Sequence, residues 1–489
     1  MIPFAGTQTE LRAVEERLAA APQSAHYRLQ RAILLDSLGR TAEARDAYID
    51  VLRIDPTSRD ALNNLGTLLF NARYRSAARL TYRELLKYHP RDVVAIVNLG
   101  NVAHEDGDLE EARQLYQSAV DIDPSCALAH QGLSYALGRL GDAEGARRHR
   151  DIGFRLAPIV LAPYRGASAP VTVLLLLSPL AANIATHLFM DDTTFLVVKV
   201  FAEYYDPALP LPPHDVVFNA IGDADLAAAG LLAGARLTAA SQAITINPPQ
   251  AVARTTRESV AQRLRGIEGV VAPRVERVAR ENAAGLDWPT PFLLRSPGYH
   301  TGEHFVRVDE RELLGERLAE LPGDELLVME FLDARGADGA TRKYRVMFVD
   351  GKMYPLHLAR STHWKVHYFS ADLVHEPAAM EEEAAFLRDA RAALPEKALR
   401  ALESIAAALD LDYCGIDFAL DREGNVLLFE ANATMKIIPP VAGEEETPRG
   451  RAARAALDAA RAMVLDRARE PFDALEWSAE VSDDQEKTP

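Results

Sequence analysis

Cysteine is nearly absent from this sequence, since Cys126 and Cys414 are the only two among 489 residues. They lie far apart, and neither has a neighbouring Cys or His at the spacing that zinc sites use. A disulfide framework and a zinc centre are therefore not expected, and a reducing cytoplasm is the expected location. The segment Met1 to Glu10 also lacks the basic and apolar regions of a secretory signal, so export is not indicated.

Positive charge is scarce as well. Lys and Arg together number 54 against 71 Asp and Glu, which gives a formal charge of −17. Indiscriminate binding to nucleic-acid phosphates requires the opposite balance, so DNA and RNA are not expected partners. Only eight of the basic residues are lysine, which means that arginine carries most of the positive charge in this chain.

Long uninterrupted apolar runs are missing too. The most apolar stretch, Val171 to Met190, contains Ser178, Pro179, Asn183 and His187. A helix that crosses a bilayer needs about 20 predominantly apolar residues, so no membrane span is expected here. The stretch predicts a buried strand followed by a loop and a short helix.

A 34-residue period runs through the first third of the chain. The prolines in phase are Pro56, Pro90, Pro124 and Pro158, and the alanines in phase are Ala44, Ala78, Ala112 and Ala146. Tyr48, Tyr82 and Tyr116 keep the same spacing. A small alanine lets two antiparallel helices approach closely, an aromatic ring fills the gap to the next pair, and proline ends the second helix. The period therefore predicts stacked helix pairs.

This pattern resembles the tetratricopeptide repeat family and predicts an all-α superhelix over residues 1–160. Four repeats begin near Ala25, Arg59, Val93 and Ala127, and Gln8 to Ala20 is expected to be a cap helix. The resemblance implies that the concave face binds a peptide or protein partner. The candidate residues on that face are His26, Leu29, Asp36, Asp60, Asn63, Phe70, Asn101, His104, Gln131 and Tyr135. A packing or homodimerisation scaffold without a peptide ligand is the alternative.

The helical period stops after Pro158, and Pro163, Gly166 and Pro170 indicate a linker. Short apolar strands are predicted beyond it, and they are separated by loops or by a helix over Asp225 to Ala240. These strands are Val171 to Ser178, Thr194 to Val200 and Asp215 to Ala220. Residues 161–250 are therefore predicted to form a small α/β domain.

A β-hairpin is predicted near the C-terminus, where two apolar runs flank the turn formers of Asp421 to Asn425. If Asp421 faces Val426, then Asp417 faces Glu430, with Cβ atoms roughly 5 Å apart. Asn432 shares the face of Glu430 by the strand period. Two carboxylates and an amide oxygen suit Mg²⁺ or Mn²⁺, so Asp417, Glu430 and Asn432 are the predicted metal ligands. An exposed hairpin end with solvated acids is the alternative.

A glycine loop is predicted between two strands upstream, within Pro291 to Arg307. Gly298 and Gly302 lie in the loop, and Arg295 precedes it. Such a loop can fold over a triphosphate and offer backbone N–H groups, although two glycines between strands also suit an ordinary turn. An apolar strand over Leu326 to Phe331 follows. A hairpin of Arg342 to Phe348 with Met353 to Leu358 comes next.

In this order the elements resemble the ATP-grasp superfamily, especially its glutathione-synthetase and ribosomal-protein glutamate-ligase branch, over about Val171 to Asp466. The resemblance implies an α+β ATP-grasp catalytic domain at residues 251–470, with residues 161–250 as its pre-ATP-grasp domain. It implies that adenine is bound by Glu330, Phe331 and Leu332. It also implies that Gly298 to Gly302 is a phosphate lid and that ATP phosphates are contacted by Arg257 and Arg295. The catalytic residues that it implies are Arg295, Arg345 and Arg360.

The chain departs from the family pattern at several positions. Arg257 and Arg295 stand where lysine is common, and Lys343 stands where an acidic residue is common. Arginine keeps the positive charge and can bind phosphate through two bonds. The residue that binds the ribose stays open between Asp333 and Asp338.

A cluster of histidines gives weaker support for a second metal site. His357, His363 and His367 lie close together in the sequence, but their spacing matches no zinc pattern. A polar substrate wall is the favoured interpretation of this cluster. Residues 471–489 form a polar, charged tail that is expected to be disordered.

The function that these features predict is an ATP- and Mg²⁺-dependent carboxylate–amine ligase. A carboxylate would be activated as an acyl phosphate and then attacked by an amine, while the repeats recruit a peptide or protein substrate. Two alternatives stay open: an ATP-grasp phosphotransferase, and a non-catalytic nucleotide-binding repeat scaffold.

Overall fold

The structure is a computed structural model that describes residues 4–180, 183–299, 302–366, 371–373 and 375–469. It divides into two compact units. The N-terminal unit contains residues 4–170 and 192–206, and the C-terminal unit contains residues 171–191 with the described residues from 207 onward. The predicted tail, residues 471–489, and His367 lie outside the described residues.

The N-terminal unit is built from helix pairs. Its helices are α1 Phe4–Ala20, α2 Ala25–Ser37, α3 Thr41–Ile54, α4 Arg59–Asn71, α5 Arg75–Tyr88, α6 Val93–Glu105, α7 Leu109–Ile122, α8 Ala127–Arg139 and α9 Ala143–Leu156. The four predicted repeat starts and the cap helix are thereby confirmed.

The residues in phase form the core of the helix pairs. Ala44, Ala78 and Ala112 are fully buried, which allows the two helices of each pair to approach closely. The three tyrosines are buried as well, and the Tyr82 ring lies so close to Gly66 that a Cβ there would be 2.5 Å from it. The aromatic ring therefore fills the space that glycine leaves in the preceding helix.

In chain order the strands are β1 Ile159–Leu161, β2 Val171–Leu177, β3 Phe195–Phe201, β4 Val216–Asn219, β5 Thr245–Ile246, β6 Val270–Val271, β7 Val275–Ala279, β8 Phe292–Arg295, β9 Phe305–Val308, β10 Glu325–Glu330, β11 Thr341–Val349, β12 Lys352–Ser361, β13 Tyr413–Leu420 and β14 Val426–Asn432. In the N-terminal unit, β1 pairs antiparallel with β3. Residues 192–206, which were expected in the α/β domain, group with the repeats in this division.

In the C-terminal unit, β4 lies between β2 and β5 and pairs in parallel with both. The helices of this unit are α10 Ala228–Ala239, α11 Pro249–Val252, α12 Arg257–Leu264, α13 Arg280–Ala283, α14 Leu314–Ala319, α15 Pro377–Arg388, α16 Ala390–Ala393, α17 Glu396–Leu409 and α18 Pro448–Arg469. Two further sheets follow the parallel strands in sequence, and most of their strand pairs are antiparallel. One has the order β7-β10-β8-β9. The other has the order β12-β11-β13-β14-β6, with β6 parallel to β14.

The sheet β7-β10-β8-β9 has a packed core on one face. Phe292, Leu294, Leu326 and Val328 belong to this core, whereas the alternating residues Leu293, Leu327 and Met329 belong to a second apolar cluster with Phe305 and Trp364. Both faces of the sheet are therefore covered, as the strand period of two requires.

One buried asparagine joins the parallel strands to β13. The Asn247 amide donates to the Tyr413 carbonyl and accepts from the Tyr413 N–H, both at 2.8 Å. Its backbone N–H donates to the Asp412 carboxylate at 2.8 Å, and its carbonyl accepts from Asn219 at 3.0 Å. Asn247 has a φ of 54°, a left-handed conformation that asparagine tolerates better than most residues.

The architecture confirms an all-α repeat region followed by a mixed α/β region with several sheets. In the described part of the chain, no helix is both long enough and apolar enough to cross a membrane. The ATP-grasp assignment and the predicted boundaries at residues 160, 250 and 470 stay predictions.

Candidate functional site

The hairpin of β13 and β14 places Asp417 opposite Glu430, as predicted. The route to this pairing differs from the expectation, because Leu420, not Asp421, faces Val426. The register shifts by one residue between Asp417 and Phe418, which makes Phe429 the extra residue of a β-bulge. The bulge restores the pairing that a regular hairpin with this turn would have lost.

Asp417 is buried in the sheet, with a relative exposure of 1%. Arg345 lies directly across from it on β11 and binds both of its carboxylate oxygens, Nε to Oδ1 at 2.6 Å and Nη2 to Oδ2 at 2.8 Å. Lys343 Nζ lies 2.5 Å from Oδ2. Burial alone would raise the pKa of Asp417, but the charges of Arg345 and Lys343 outweigh it and hold this pKa well below its usual range.

Glu430 is bound from the other side of the hairpin. Arg257, the first residue of α12, donates from Nη2 to Glu430 Oε1 at 2.7 Å, and Asn432 Nδ2 donates to the same oxygen at 2.7 Å. The Asn432 carbonyl oxygen in turn accepts from the N–H and the hydroxyl of Thr434, each at 3.0 Å. Burial would raise the pKa of Glu430, and the positive charges of Arg257 and Arg295 lower it below its usual value.

The three predicted metal ligands thus converge, but their oxygens already have protein partners. Both Asp417 oxygens are occupied by cationic side chains, and the Asn432 oxygen is occupied by Thr434. Among the described residues no cluster of three or more His, Cys, Asp or Glu side chains is suited to a metal ion. The donor chemistry suits Mg²⁺ or Mn²⁺, whereas the arrangement around Asp417 does not fit either ion.

A cavity of about 40 Å³ lies beside Glu430. Its walls include Val275 and Met329 from the sheet β7-β10-β8-β9, Leu428 from β14, and Arg257 from α12. The loop Gly222–Asp225 after β4 closes another side, a contribution that the sequence did not indicate because the loop carries no recognisable motif. Apolar and charged groups therefore converge on one small space.

The acids of that loop are part of the same charge network. Asp225 forms an ion pair with Arg277 at 2.7 Å. Burial and the neighbouring charge of Asp223 raise the pKa of Asp225, although Arg277 partly opposes them. Arg277 also forms an ion pair with Glu258 at 3.0 Å. The charge network therefore extends from Glu258 through Arg277 to Asp225 in the cavity wall.

Arg295 lies at the end of β8 with a relative exposure of 7%. It donates to the Tyr299 carbonyl, and its guanidinium lies 5.5 Å from the Phe305 ring centre. Burial, followed by the like charge of Arg257, lowers the pKa of Arg295 to about 10. Two predicted phosphate-binding arginines are therefore close enough to repel each other.

The two glycines of the predicted loop both have left-handed backbone conformations. Gly298 has a φ of 82° and Gly302 a φ of 78°, which are left-handed values that other residues rarely adopt. Residues 300–301 lie outside the described part. Lys365 approaches the loop, since its Nζ donates to the Phe305 carbonyl at 3.1 Å. Burial and the charge of Arg295 lower the pKa of Lys365.

The predicted adenine-binding residues are the last residue of β10 and the two residues after it. The Glu330 N–H donates to the Arg274 carbonyl at 2.8 Å, and the Glu330 carboxylate accepts from the Arg274 N–H at 3.0 Å. Phe331 lies 5.0 Å from the Arg307 guanidinium, and Leu332 packs against a small apolar cluster that contains Leu427. The backbone of this segment is thus fixed next to both sheets.

Arg360 lies in a different ion-pair group from the other predicted catalytic arginines. It donates to Asp338 at 2.9 Å, and Arg342 binds the same carboxylate at 2.8 Å. Asp333, the other candidate for the ribose, forms an ion pair with Arg335 at 2.5 Å. Both candidate acids therefore have arginine partners, and the choice between them stays open.

His357 is buried on β12, where it pairs in register with Arg345. Burial and the charge of Arg345 lower its pKa far below the usual value, so the imidazole is neutral at physiological pH. His363 lies in the loop beyond Ser361. Of the predicted histidine cluster, these two are the members that the structure describes.

The predicted concave-face residues of the repeats differ in their exposure to solvent and in their hydrogen bonds to other helices. His26, Asp60 and Tyr135 are exposed. In contrast, Asn63 binds Asn98 at 3.1 Å and Asn101 accepts from the Tyr116 hydroxyl at 2.7 Å. The second group connects helices of the unit, which gives these residues a structural role.

The comparisons with known proteins concern the repeats. A tetratricopeptide repeat family model matches residues 63–127, within the helix pairs described above. This part of the chain consists of tetratricopeptide repeats. Similar solved structures include MamA from Desulfovibrio magneticus, which is 25% identical, with a TM-score of 0.29, over 31% of this chain and 85% of that chain.

A structure of YrrB, described as a TPR protein with an unusual peptide-binding site, is 19% identical with a TM-score of 0.28, over 31% of this chain and 78% of that one. Pseudomonas aeruginosa PilF is 17% identical with a TM-score of 0.30, over 31% of this chain and 70% of that one. No curated protein matches the chain.

Proposed function

We propose that the C-terminal unit is an ATP-grasp ligase that uses ATP to join a carboxylate to an amine, and that the repeats recruit a peptide or protein substrate. The observation that carries the proposal is the convergence of Arg257, Arg295, Arg345 and Lys343 on the paired carboxylates of the hairpin. The two largely antiparallel sheets and the glycine loop support the same assignment.

A triphosphate suits this charge arrangement. Burial lowers the pKa of Arg295, and the like charge of Arg257 lowers it further. An anion bound between them would relieve that repulsion, and arginine can bind phosphate oxygens through two bonds. Met329, Val275 and Leu428 offer apolar contacts on the wall of the same cavity.

The proposed reaction has two steps. A carboxylate oxygen of the substrate attacks the γ-phosphorus of ATP, the bond to the bridging oxygen breaks, and ADP leaves with the electron pair. The amine then attacks the acyl carbon of the acyl phosphate, the bond to the phosphate oxygen breaks, and the amine loses a proton. The cationic side chains stabilise negative charge that develops on the phosphoryl oxygens.

A divalent cation enters this proposal only as the partner of the triphosphate. Mg²⁺ usually binds through substrate phosphates and one or two carboxylates. Glu430, a quarter of whose side chain is exposed, is the carboxylate best placed for that role. Asp417 is excluded by its two cationic partners.

The test is ADP release from ATP by the full-length protein, measured with panels of carboxylates and amines, including amino acids and short peptides. We expect release that requires both substrates, and hydroxylamine should trap the acyl phosphate as a hydroxamate. A stable phosphorylated product without hydroxamate would indicate the phosphotransferase, and ATP binding without any turnover would indicate the scaffold.

A matched pair of variants links the turnover to the site. Arg295→Met should abolish ADP release, whereas Arg422→Met should retain it, because Arg422 is exposed at the hairpin turn. Equal activity of the two variants would contradict the proposed site.

A further inference from the structure

Lys343 is the residue of the site whose position the family resemblance does not explain. It lies on β11 two residues before Arg345, so the strand period places both side chains on the same face. Its ammonium nitrogen is 2.5 Å from Asp417 Oδ2, and 17% of its side chain is exposed. The contact is a close ion pair in a largely buried setting.

The paired carboxylates of Asp417 and Glu430 have three cationic partners, of which two, Arg345 and Lys343, bind Asp417. Arg345 already binds both oxygens with the geometry of a bidentate pair, which is enough to neutralise the carboxylate. Lys343 adds a second positive charge at Oδ2. His357, on the neighbouring strand, is neutral and adds no charge. Two cationic side chains therefore occupy the oxygens of Asp417 that a metal ion would need.

We infer that the Lys343 ammonium group occupies the place of a divalent cation beside Asp417, so that this site binds phosphate with a built-in cation. Mg²⁺ requires carboxylate oxygens at about 2.0 to 2.1 Å and repels a neighbouring ammonium group. The ammonium nitrogen, 2.5 Å from Oδ2, leaves no room for such an ion at that oxygen. A lysine is also a compact point charge with donors that suit phosphate oxygens.

The inference has two parts. The binding of nucleotide phosphate at this site rests on the proposed function. The exclusion of metal by Lys343 concerns the protein alone, and it can therefore be tested without any nucleotide. The two parts of the experiment are chosen so that each hypothesis can fail separately.

The first part measures Mn²⁺ binding to the full-length protein by electron paramagnetic resonance, without nucleotide. The variants are Lys343→Glu and Lys343→Gln, and Lys352→Glu is the control because Lys352 is exposed on the adjacent strand. We expect Lys343→Glu to bind Mn²⁺ more tightly than the wild type by roughly tenfold or more. The control should bind as the wild type does.

One result would overturn the inference: Lys343→Glu that binds Mn²⁺ no more tightly than the wild type while circular dichroism shows it folded. Lys343→Gln, which removes the charge without adding an acid, covers the case in which Lys343→Glu does not fold. It should also bind Mn²⁺ more tightly than the wild type, and unchanged binding would overturn the inference.

The second part measures ATP affinity by calorimetry with EDTA or with excess Mg²⁺. The wild type should bind ATP in EDTA, whereas Lys343→Glu should require Mg²⁺. Wild-type binding that is abolished by EDTA would overturn the inference and leave the ligase proposal intact. If ATP does not bind under any condition, the proposed function fails, and the Mn²⁺ results still decide the role of Lys343.

Discussion

Arg257 at the start of α12 and Glu430 on β14 are 173 residues apart in sequence, yet they share a hydrogen bond of 2.7 Å. The contact ties the helix to the hairpin at the wall of the cavity. If ATP phosphate binds Arg257 and Arg295, loss of either guanidinium removes a charged hydrogen bond. Such bonds contribute about 1.5 to 3 kcal/mol.

The first prediction is that Arg257→Met and Arg295→Met each weaken ATP binding by roughly 1.5 to 3 kcal/mol, as measured by calorimetry. Arg422→Met, the matched control on the exposed turn, should bind ATP as the wild type does. ATP affinity that is unchanged in both site variants would exclude the two arginines from the nucleotide site.

The second prediction concerns acid stability. The pKa of Asp417 is lower in the folded protein than its unfolded value of about 3.9, so its ion pairs stabilise the fold fully above that value. The stabilisation is lost as the pH falls below about 4 and toward the folded-state pKa. Asp417→Asn should therefore reduce stability by about 3 kcal/mol or more at pH 7, since it leaves two largely buried cations without their partner.

The measurement is urea denaturation of both proteins at pH 7, 5 and 3. The stability difference should be similar at pH 7 and 5 and smaller at pH 3. Asp287→Asn is the control, because Asp287 is 97% exposed and pairs with Arg311 at the surface. A difference that grows on acidification would contradict the assignment of Asp417 as an ionised, paired carboxylate.

The third prediction tests the close contact between Gly66 and the Tyr82 ring. Gly66→Ala places a methyl group 2.5 Å from a ring that is only 1% exposed, so the helix pair must move apart. The free energy of unfolding should fall by about 1 to 3 kcal/mol. Gly138→Ala meets nothing closer than 3.7 Å and should instead raise it by about 0.5 kcal/mol through helix propensity. Thermal and urea unfolding would show whether the two alanines act in opposite directions.

The fourth prediction separates the structural and ligand-binding roles of Asn101. Asn101→Ala leaves the buried Tyr116 hydroxyl without its acceptor and should cost about 1 to 3 kcal/mol. In a Tyr116→Phe background the same change should cost much less. If Asn101→Ala leaves stability unchanged in both backgrounds, the hydrogen bond has no structural role and the residue is available for a ligand.

Periodicity made the repeats predictable in detail. A residue type that returns every 34 positions specifies both a helix face and its neighbour in the next repeat, so the buried positions of Ala78 and Tyr82 follow from the period alone. The strands of the C-terminal unit were recognisable for a similar reason, because apolar runs and turn residues define them locally. Pairing across the hairpin was predicted correctly at Asp417 and Glu430, with the bulge unforeseen.

The partners of the site residues were not predictable, because they depend on contacts between distant segments. The sequence predicted a metal ion at Asp417 and Glu430, whereas in the structure Lys343, Arg345 and Arg257 are their partners. Neither a strand pattern nor a motif places Arg257 beside Glu430. The loop Gly222–Asp225 reaches the cavity through the packing of separate elements, and no local signal indicated it.

Asn247 replaces a piece of backbone. Its side chain presents one donor and one acceptor to Tyr413 with the spacing of a peptide group, so one residue acts as a neighbouring strand would. Aspartate lacks the donor, glutamine is longer by one methylene group, and no other side chain combines both groups at that length. The side chain of Asn247 therefore fixes the parallel strands to the first residue of β13 through a pair of bonds that no other side chain reproduces.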